Sequence, residues 1–134
     1  MANNILSRKG NQIGKSIKEK NCEKIIEEIF KTSKQHSCSI TFPKDVLVGR
    51  NLDDKSKVKE LNEIDEDDLI LDIGPKTINT IKNIIQKSET VLWNGPAGYF
   101  ENPNFANGSY EIANTIIKKN KNKSIYSVVG GGDT

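Results

Sequence analysis

The sequence predicts an α/β fold whose sheet is mostly parallel and covered by helices on both faces. Short apolar runs alternate with longer segments of helical period along the 134 residues, and regular alternation of this kind implies right-handed βαβ units. Turns rich in Gly, Pro, Asn or Asp follow three predicted strands, at residues 74–75, 94–101 and 130–134. Because ligands bind beyond the carboxyl ends of parallel strands, we expect these turns to open on one edge of the sheet.

The first half of the chain is expected to contain two helices and two strands. A helix is predicted at residues 1–6, and a second at 19–34, where apolar side chains recur on one stripe. Strands are predicted at 38–42 and 45–49, separated by a proline. Residues 50–68 are charged and weakly apolar, so we expect a long loop with at most one short helical turn.

The second half carries the clearest alternation. Three strands and two helices are predicted: strands at 69–73, 90–93 and 125–129, one helix from Pro75 to about residue 85, and another at 110–119. Proline is favoured in the first helical turn because its missing N–H group is not needed there. The last strand runs directly into the glycine-rich terminus.

Composition indicates one water-soluble globular domain. Hydrophobic residues make up 34% and charged residues 28%, and 20 basic against 18 acidic residues leave a net charge of +2. This balance gives no argument for nucleic acid or an anionic membrane as a partner. No apolar run precedes Arg8 and Lys9, so no signal peptide is predicted and we expect a cytoplasmic location. The two cysteines and one histidine show no metal-ligand spacing.

The segment Gly130-Gly131-Gly132-Asp133-Thr134 is a candidate phosphate-binding loop. Three glycines after a buried strand let the backbone approach a bulky ligand, and a following helix would direct N–H groups at an anion. Asp133 could hold Mg²⁺, usually through water, and the Thr134 hydroxyl could donate to a phosphate oxygen. A flexible glycine-rich tail or a plain strand-to-helix turn is the alternative.

Residues 93–101 form the most unusual stretch of the chain. Two glycines and a proline fix a sharp turn at a strand end, with Asn94 as donor and acceptor. Glu101 can accept hydrogen bonds from two hydroxyls, which suits a ribose diol. An Asn-Gly turn followed by a helix with an acidic first turn is the alternative, and spacing alone does not decide between them.

The triplet Gly14-Lys15-Ser16 resembles the end of a P-loop. A P-loop also requires a glycine five positions earlier and a preceding buried strand, but that position is Lys9 and no strand is predicted there. We therefore interpret the triplet as an ordinary turn in which Ser16 caps the next helix.

Taken together, the motifs resemble the C-terminal nucleotide-binding domain of phosphoglycerate kinase. They follow the order and spacing of that family over essentially the whole chain. The matching segments are Met1-Ala2-Asn3, Gly14-Lys15-Ser16, Phe42-Pro43-Lys44-Asp45-Val46, Leu71-Asp72-Ile73-Gly74-Pro75-Lys76-Thr77, Trp93-Asn94-Gly95-Pro96, Gly98, Phe100-Glu101, Phe105, Gly108 and Gly130-Gly131-Gly132-Asp133-Thr134.

The resemblance implies a three-layer αβα fold with a Rossmann-like, doubly wound sheet that is incomplete at both ends. Residues 1–134 would be a partial C-terminal domain of a usually monomeric, cytoplasmic enzyme of glycolysis. That kinase is a phosphotransferase with a carboxyl group as acceptor. It moves phosphoryl reversibly between 1,3-bisphosphoglycerate and MgADP, giving 3-phosphoglycerate and MgATP. Catalysis in this family is mostly positioning and charge stabilisation, and no catalytic side chain is assigned in this chain.

The resemblance also assigns contacts to nucleotide and Mg²⁺ residue by residue. The nucleotide phosphates and the metal would be contacted by Gly131, Gly132, Asp133 and Thr134, with Asp133 on Mg²⁺. The ribose would be contacted by Glu101, and the phosphate path would be lined by Asn94, Gly95 and Pro96. The adenine would be flanked by Ile17 and Leu71.

Several parts of the family pattern have no counterpart in this sequence. The N-terminal domain that binds phosphoglycerate and the arginine and lysine residues that stabilise the transferring phosphoryl group do not match any segment. We therefore expect no kinase activity from this chain alone and at most weak nucleotide binding, and we interpret it as a truncated or miscalled reading frame. The alternatives are a stand-alone, non-catalytic adenine-nucleotide-binding module and a poorly folding piece with exposed apolar faces.

Overall fold

The computed structural model describes residues 2–122 and 124–131. Within these residues the chain forms four α-helices and five strands, which confirms the α/β class. The helices are α1 (Ala2–Arg8), α2 (Glu23–Gln35), α3 (Pro75–Lys87) and α4 (Asn107–Lys121). The strands are β1 (Asp45–Gly49), β2 (Lys57–Glu60), β3 (Leu69–Ile73), β4 (Thr90–Asn94) and β5 (Tyr126–Gly130).

The strands form two small sheets, so the sheet structure is incomplete, as expected. Strands β4 and β5 pair in parallel, and α4 is the crossover helix between them. This unit matches the predicted βαβ arrangement.

The other sheet departs from the parallel expectation. Its order is β2-β1-β3, and β1 is antiparallel to both neighbours, with Val46 opposite Lys59 on one side and Ile73 on the other. A parallel pairing needs a crossover of a dozen or more residues, usually a helix. Residues 50–56, which connect β1 to β2, are too few for such a crossover, so the chain turns back there.

Two expectations for the first half are wrong in detail. Residues 38–42 form no strand, because within the described part of the chain no strand pairs with them. Their apolar side chains lie against α2 instead, where the Phe30 and Phe42 ring centroids are 6.1 Å apart. The expected loop at 50–68 contains the short helical turn, as a 3₁₀ turn at Leu61–Glu63, but it also contains the strand β2, which was not expected.

The described residues bury two hydrophobic clusters. The first lies on one face of the antiparallel sheet, where Ile64 packs on Val46 and Val48. The second lies between α3, α4 and β4, where Ile85, Ile112 and Ile116 are buried and Trp93 packs against them. The opposite face of the β4–β5 sheet is open, with Leu92 75% and Tyr126 69% exposed.

Candidate functional site

The turns after β4 and β5 begin side by side. Asn94 is the register partner of Gly130, and the Gly95 N–H group donates to the Gly130 carbonyl at 3.2 Å. Gly95 and Gly131 have φ angles of 88° and 102°, in the left-handed region that favours glycine. Two of the three turns expected on one edge of the sheet therefore lie there together.

Of the predicted nucleotide contacts, the structure brings together Asn94, Gly95 and Gly131. The backbone of Gly131 is exposed, as is the side chain of Asn94. Gly132, Asp133 and Thr134 lie outside the described residues, so their phosphate and Mg²⁺ contacts stay predictions.

The loop from Gly95 to Glu101 is attached to α4 and to β3 by backbone N–H groups. The Ala97 N–H group donates to the Ser109 hydroxyl at 2.9 Å, and the Tyr99 N–H group donates to the Leu71 carbonyl at 2.7 Å. Further along, the Asn102 N–H group donates to the Tyr99 carbonyl at 3.3 Å. Glu101 lies inside this hydrogen-bonded turn with an exposed side chain.

The predicted adenine contacts Ile17 and Leu71 lie on two segments of the chain that meet at the edge of β3. The Ile70 N–H group donates to the Ser16 hydroxyl at 2.8 Å, which places residue 17 beside the strand. Ile17 is 86% exposed, and Leu71 lines a cavity of about 270 Å³ together with Pro96 and Tyr99. No described contact joins the side chains of these two residues, so their shared role at the adenine stays a prediction.

The Gly14-Lys15-Ser16 segment braces β3 and does not form a P-loop. Gly14 forms an isolated antiparallel bridge with Leu69, and a Cβ atom on Gly14 would lie 2.1 Å from the Asp68 carbonyl oxygen. The expectation that Ser16 caps a helix is wrong, because its hydroxyl accepts from the strand N–H group of Ile70.

Two buried aspartates were missed by sequence reasoning. Asp72 is 2% exposed and accepts from the Ile73 N–H group and, on its other oxygen, from the Gly108 N–H group of α4, each at 2.8 Å. Burial raises the pKa of Asp72, while the N–H donors from Gly108 and Ile73 act in the opposite direction. The one sequence signal was a carboxylate within an otherwise apolar strand.

Asp45 is the second of these residues and is fully buried. Its carboxylate accepts from the Lys76 N–H group at 2.9 Å and from the Thr77 N–H and hydroxyl groups at 2.8 and 2.7 Å. Through these bonds Asp45 fixes the start of α3 to β1. Gly74, the residue after β3, lies against the same carboxylate.

Metal-ligand clusters and membrane-spanning helices are absent from the described part of the chain. Over residues 2–122 and 124–131, no group of three or more His, Cys, Asp or Glu side chains is arranged to hold a metal ion. Among the helices that the structure describes, none has the length and apolarity to cross a bilayer.

Comparison with known proteins gives one consistent result. The sequence model of the family described as phosphoglycerate kinase matches residues 1–134. Phosphoglycerate kinase of Wolbachia pipientis subsp. Culex pipiens is 40% identical over 135 residues, covering 100% of this chain and 34% of the relative. Phosphoglycerate kinase of Dictyoglomus turgidum is 39% identical, covering 97% of this chain and 33% of the relative.

Solved structures give the same answer for the fold. Phosphoglycerate kinase from Coxiella burnetii superimposes with a TM-score of 0.89 at 32% identity, covering 98% of this chain and 34% of that one. The enzyme from Pyrococcus horikoshii OT3 gives a TM-score of 0.67 at 26% identity, over 98% of this chain and 33% of that one. The chain spans about one third of the length of the relatives that it matches.

Proposed function

We propose a nucleotide-binding role for this chain, which belongs to the phosphoglycerate kinase family. Its strand-end turns would bind MgADP or MgATP. In a longer protein they would form the nucleotide half of a site that transfers phosphoryl reversibly between 1,3-bisphosphoglycerate and MgADP. Phosphoglycerate would be bound by the two thirds of the relatives that this chain does not match, so the chain by itself would bind nucleotide weakly and catalyse nothing.

The register between β4 and β5 is the observation that supports this proposal. It sets the Gly95 turn against Gly130, the first residue of the glycine-rich segment, at a hydrogen-bonding distance of 3.2 Å. Backbone N–H groups at such turns bind anions, and glycine lets phosphate oxygens come close. Asn94, Gly95 and Pro96 would line the path of the transferred phosphoryl group, and Gly131, Gly132 and Thr134 would contact the phosphates.

The remaining contacts would hold the nucleoside and the metal. Glu101 is exposed on the turn beside this edge, where its carboxylate would accept from both ribose hydroxyls. Ile17 and Leu71 would lie on the two faces of the adenine ring. Asp133 would bind the Mg²⁺ that arrives with the nucleotide, usually through water.

The chemistry asked of these residues is positioning and charge stabilisation. Phosphoryl transfer in kinases passes through a loose, metaphosphate-like transition state, so little covalent work falls to the protein. This chain would hold the nucleotide phosphates in line for transfer, while its backbone donors offset part of their charge.

Isothermal titration of the whole chain with MgADP tests the proposal. We expect saturable binding that Glu101→Gln weakens about tenfold, equivalent to about 1.4 kcal/mol. Glu89→Gln is the matched control, because Glu89 is also exposed but precedes β4 at the opposite end of the strand. A folded chain that binds no MgADP, or equal weakening by both variants, would contradict the assignment.

A further inference from the structure

The Asp72 carboxylate joins β3, the Gly95 to Glu101 loop and the start of α4. One oxygen accepts from the Ile73 N–H group and the other from the Gly108 N–H group, both at 2.8 Å. Gly98 of the loop lies so close that a Cβ atom there would be 2.4 Å from the carboxylate. A Cβ atom on Gly108 would lie 2.3 Å from the same carboxylate. Three separate segments therefore meet at one buried negative group.

We propose that Asp72 is the positioning residue of the nucleotide site, setting the place of the loop that carries Pro96 and Glu101. The inference rests on the proposed nucleotide-binding function. Asp72 itself would not touch the ligand, since it is 2% exposed.

The hydrogen bonds of the loop make its position depend on Asp72. Tyr99, next to Gly98, donates to the carbonyl of Leu71, the neighbour of Asp72. Ala97, on the other side of Gly98, donates to the hydroxyl of Ser109, the neighbour of Gly108. These two bonds lie on either side of the carboxylate. A shift of α4 or of Gly98 relative to Asp72 would therefore move the loop at Ala97 and at Tyr99.

A carboxylate is required here, and an amide of the same size is not equivalent. Gly108 lies in the first turn of α4, where a negative charge is favoured by the helix dipole and by the N–H groups that lack intrahelical partners. Asn has one acceptor oxygen and an NH₂ group that donates, so Asp72→Asn leaves one of the two N–H groups facing another donor. Either the strand or the helix start must then shift.

Asp45 supplies a matched comparison within the same chain. It is equally buried and accepts from N–H groups in the first turn of α3, at 2.8 and 2.9 Å. The described hydrogen bonds of its carboxylate go to Lys76 and Thr77 and not to the 95–101 loop. Asp45→Asn therefore disturbs a buried helix start without disturbing the loop.

A second readout reports on the loop without any nucleotide. Trp93 is the single tryptophan of the sequence, and it lines a cavity of about 230 Å³ with Pro96 and Phe100 of the loop. A displaced loop would open this cavity to water. Trp93 emission would then shift to longer wavelength and its quenching by acrylamide would rise.

The experiment compares the whole chain with Asp72→Asn and Asp45→Asn by MgADP titration and Trp93 quenching, below the melting temperature of each variant. We expect both variants to melt earlier, but only Asp72→Asn to weaken MgADP binding about tenfold and to increase quenching. Gly98→Ala, whose Cβ atom would clash with the same carboxylate from the loop side, should reproduce both changes, which keeps the test valid if Asp72→Asn does not fold.

The outcomes separate this inference from the proposed function. If the original chain binds no MgADP, the nucleotide assignment fails, and Trp93 quenching still decides whether Asp72 positions the loop. Unchanged affinity and quenching in folded Asp72→Asn and Gly98→Ala, or equal changes in Asp45→Asn, would overturn the positioning role.

Discussion

Asp45 and Asp72 occupy equivalent places, one in β1 and one in β3, where each buried carboxylate accepts backbone N–H groups from the start of a helix. Asp45 accepts from Lys76 and Thr77 of α3, and Asp72 accepts from Gly108 of α4. A negative group at a helix start offsets both the dipole and the unsatisfied N–H groups. Two helices are thereby fixed to the antiparallel sheet by hydrogen bonds between residues that are 32 and 36 positions apart in the sequence.

Thr77 completes the contact at α3, and its removal should destabilise the fold. Its hydroxyl donates to the Asp45 carboxylate at 2.7 Å and accepts from the Lys44 N–H group at 2.9 Å. We expect Thr77→Val to lower the free energy of unfolding by about 1–2 kcal/mol, because buried groups lose a partner. Urea denaturation followed by circular dichroism measures this change.

Thr80→Val is the control on the same helix. Among the described residues, the Thr80 hydroxyl bonds the Lys76 carbonyl of its own helix at 3.0 Å, at an exposed site, so its replacement should change stability by less than about 0.5 kcal/mol. Equal losses in the two variants would show that helix propensity, and not the contact with Asp45, determines the result.

Lys119 should stabilise the end of α3. Its ammonium group donates to the carbonyls of Ile85 at 3.0 Å, Gln86 at 2.8 Å and Ser88. A cation at a helix C-terminus satisfies carbonyls that lack intrahelical partners and is favoured by the dipole. We expect Lys119→Met to cost about 1 kcal/mol in a thermal unfolding experiment.

Lys121→Met serves as the comparison, because Lys121 lies in the same last turn of α4 but is exposed. Its loss should leave the melting temperature almost unchanged. A lower melting temperature for Lys121→Met than for Lys119→Met would contradict the capping role.

Acid stability should depend on the ion pair between Lys59 and Asp65, 2.6 Å apart. The hydrogen bond and charge of Lys59 hold the pKa of Asp65 below its ordinary value of 3.8. A lowered pKa means that the unfolded chain binds the proton more tightly, so Asp65 stabilises the fold above that value. This contribution is lost as the pH falls through the lowered pKa.

Unfolding between pH 7 and pH 2 measures the effect. Asp65→Asn should be less stable than the original chain at pH 7, and the two curves should converge at the acid end. Asp53→Asn, at another exposed aspartate, should run parallel to the original chain throughout. Parallel curves for Asp65→Asn would show that the pair contributes nothing measurable.

The lysine of the same ion pair makes stability depend on pH at the alkaline end. Hydrogen bonds to Asp65 and Asp68 raise the pKa of Lys59 above its ordinary value of 10.5. The stability that Lys59 provides is therefore complete below pH 10.5 and lost as the pH rises through the raised value. We expect Lys59→Met to remove this alkaline loss in a melting experiment between pH 9 and pH 12, and an unchanged loss would argue against it.

Local patterns predicted the elements whose partners are near in sequence or fixed by apolar periodicity. Strand 69–73 and the helix start at Pro75 agree with the structure to the residue. Residues 38–42 have the same apolar character, but strand formation also needs a hydrogen-bonding neighbour, and none pairs with them among the described residues. Sequence preference alone cannot supply that neighbour.

The site was only partly predictable for a similar reason. The glycines at 95 and 131 stand out in the sequence because few other residues adopt a positive φ. Asp72 and Ser109 do not stand out, since their roles arise from contacts with Gly108 and Ala97 that the fold brings together. A carboxylate in an apolar strand indicates that some partner exists, but it does not say which.

Amide-resolved NMR titration with MgADP tests the central claim most directly. If the ends of β4 and β5 bind the nucleotide, the signals of Asn94, Gly95 and Gly131 should shift saturably, while those of Thr90 and Tyr126 at the opposite end stay in place. Saturable shifts confined to Thr90 and Tyr126, or no shifts in a folded chain, would contradict the account.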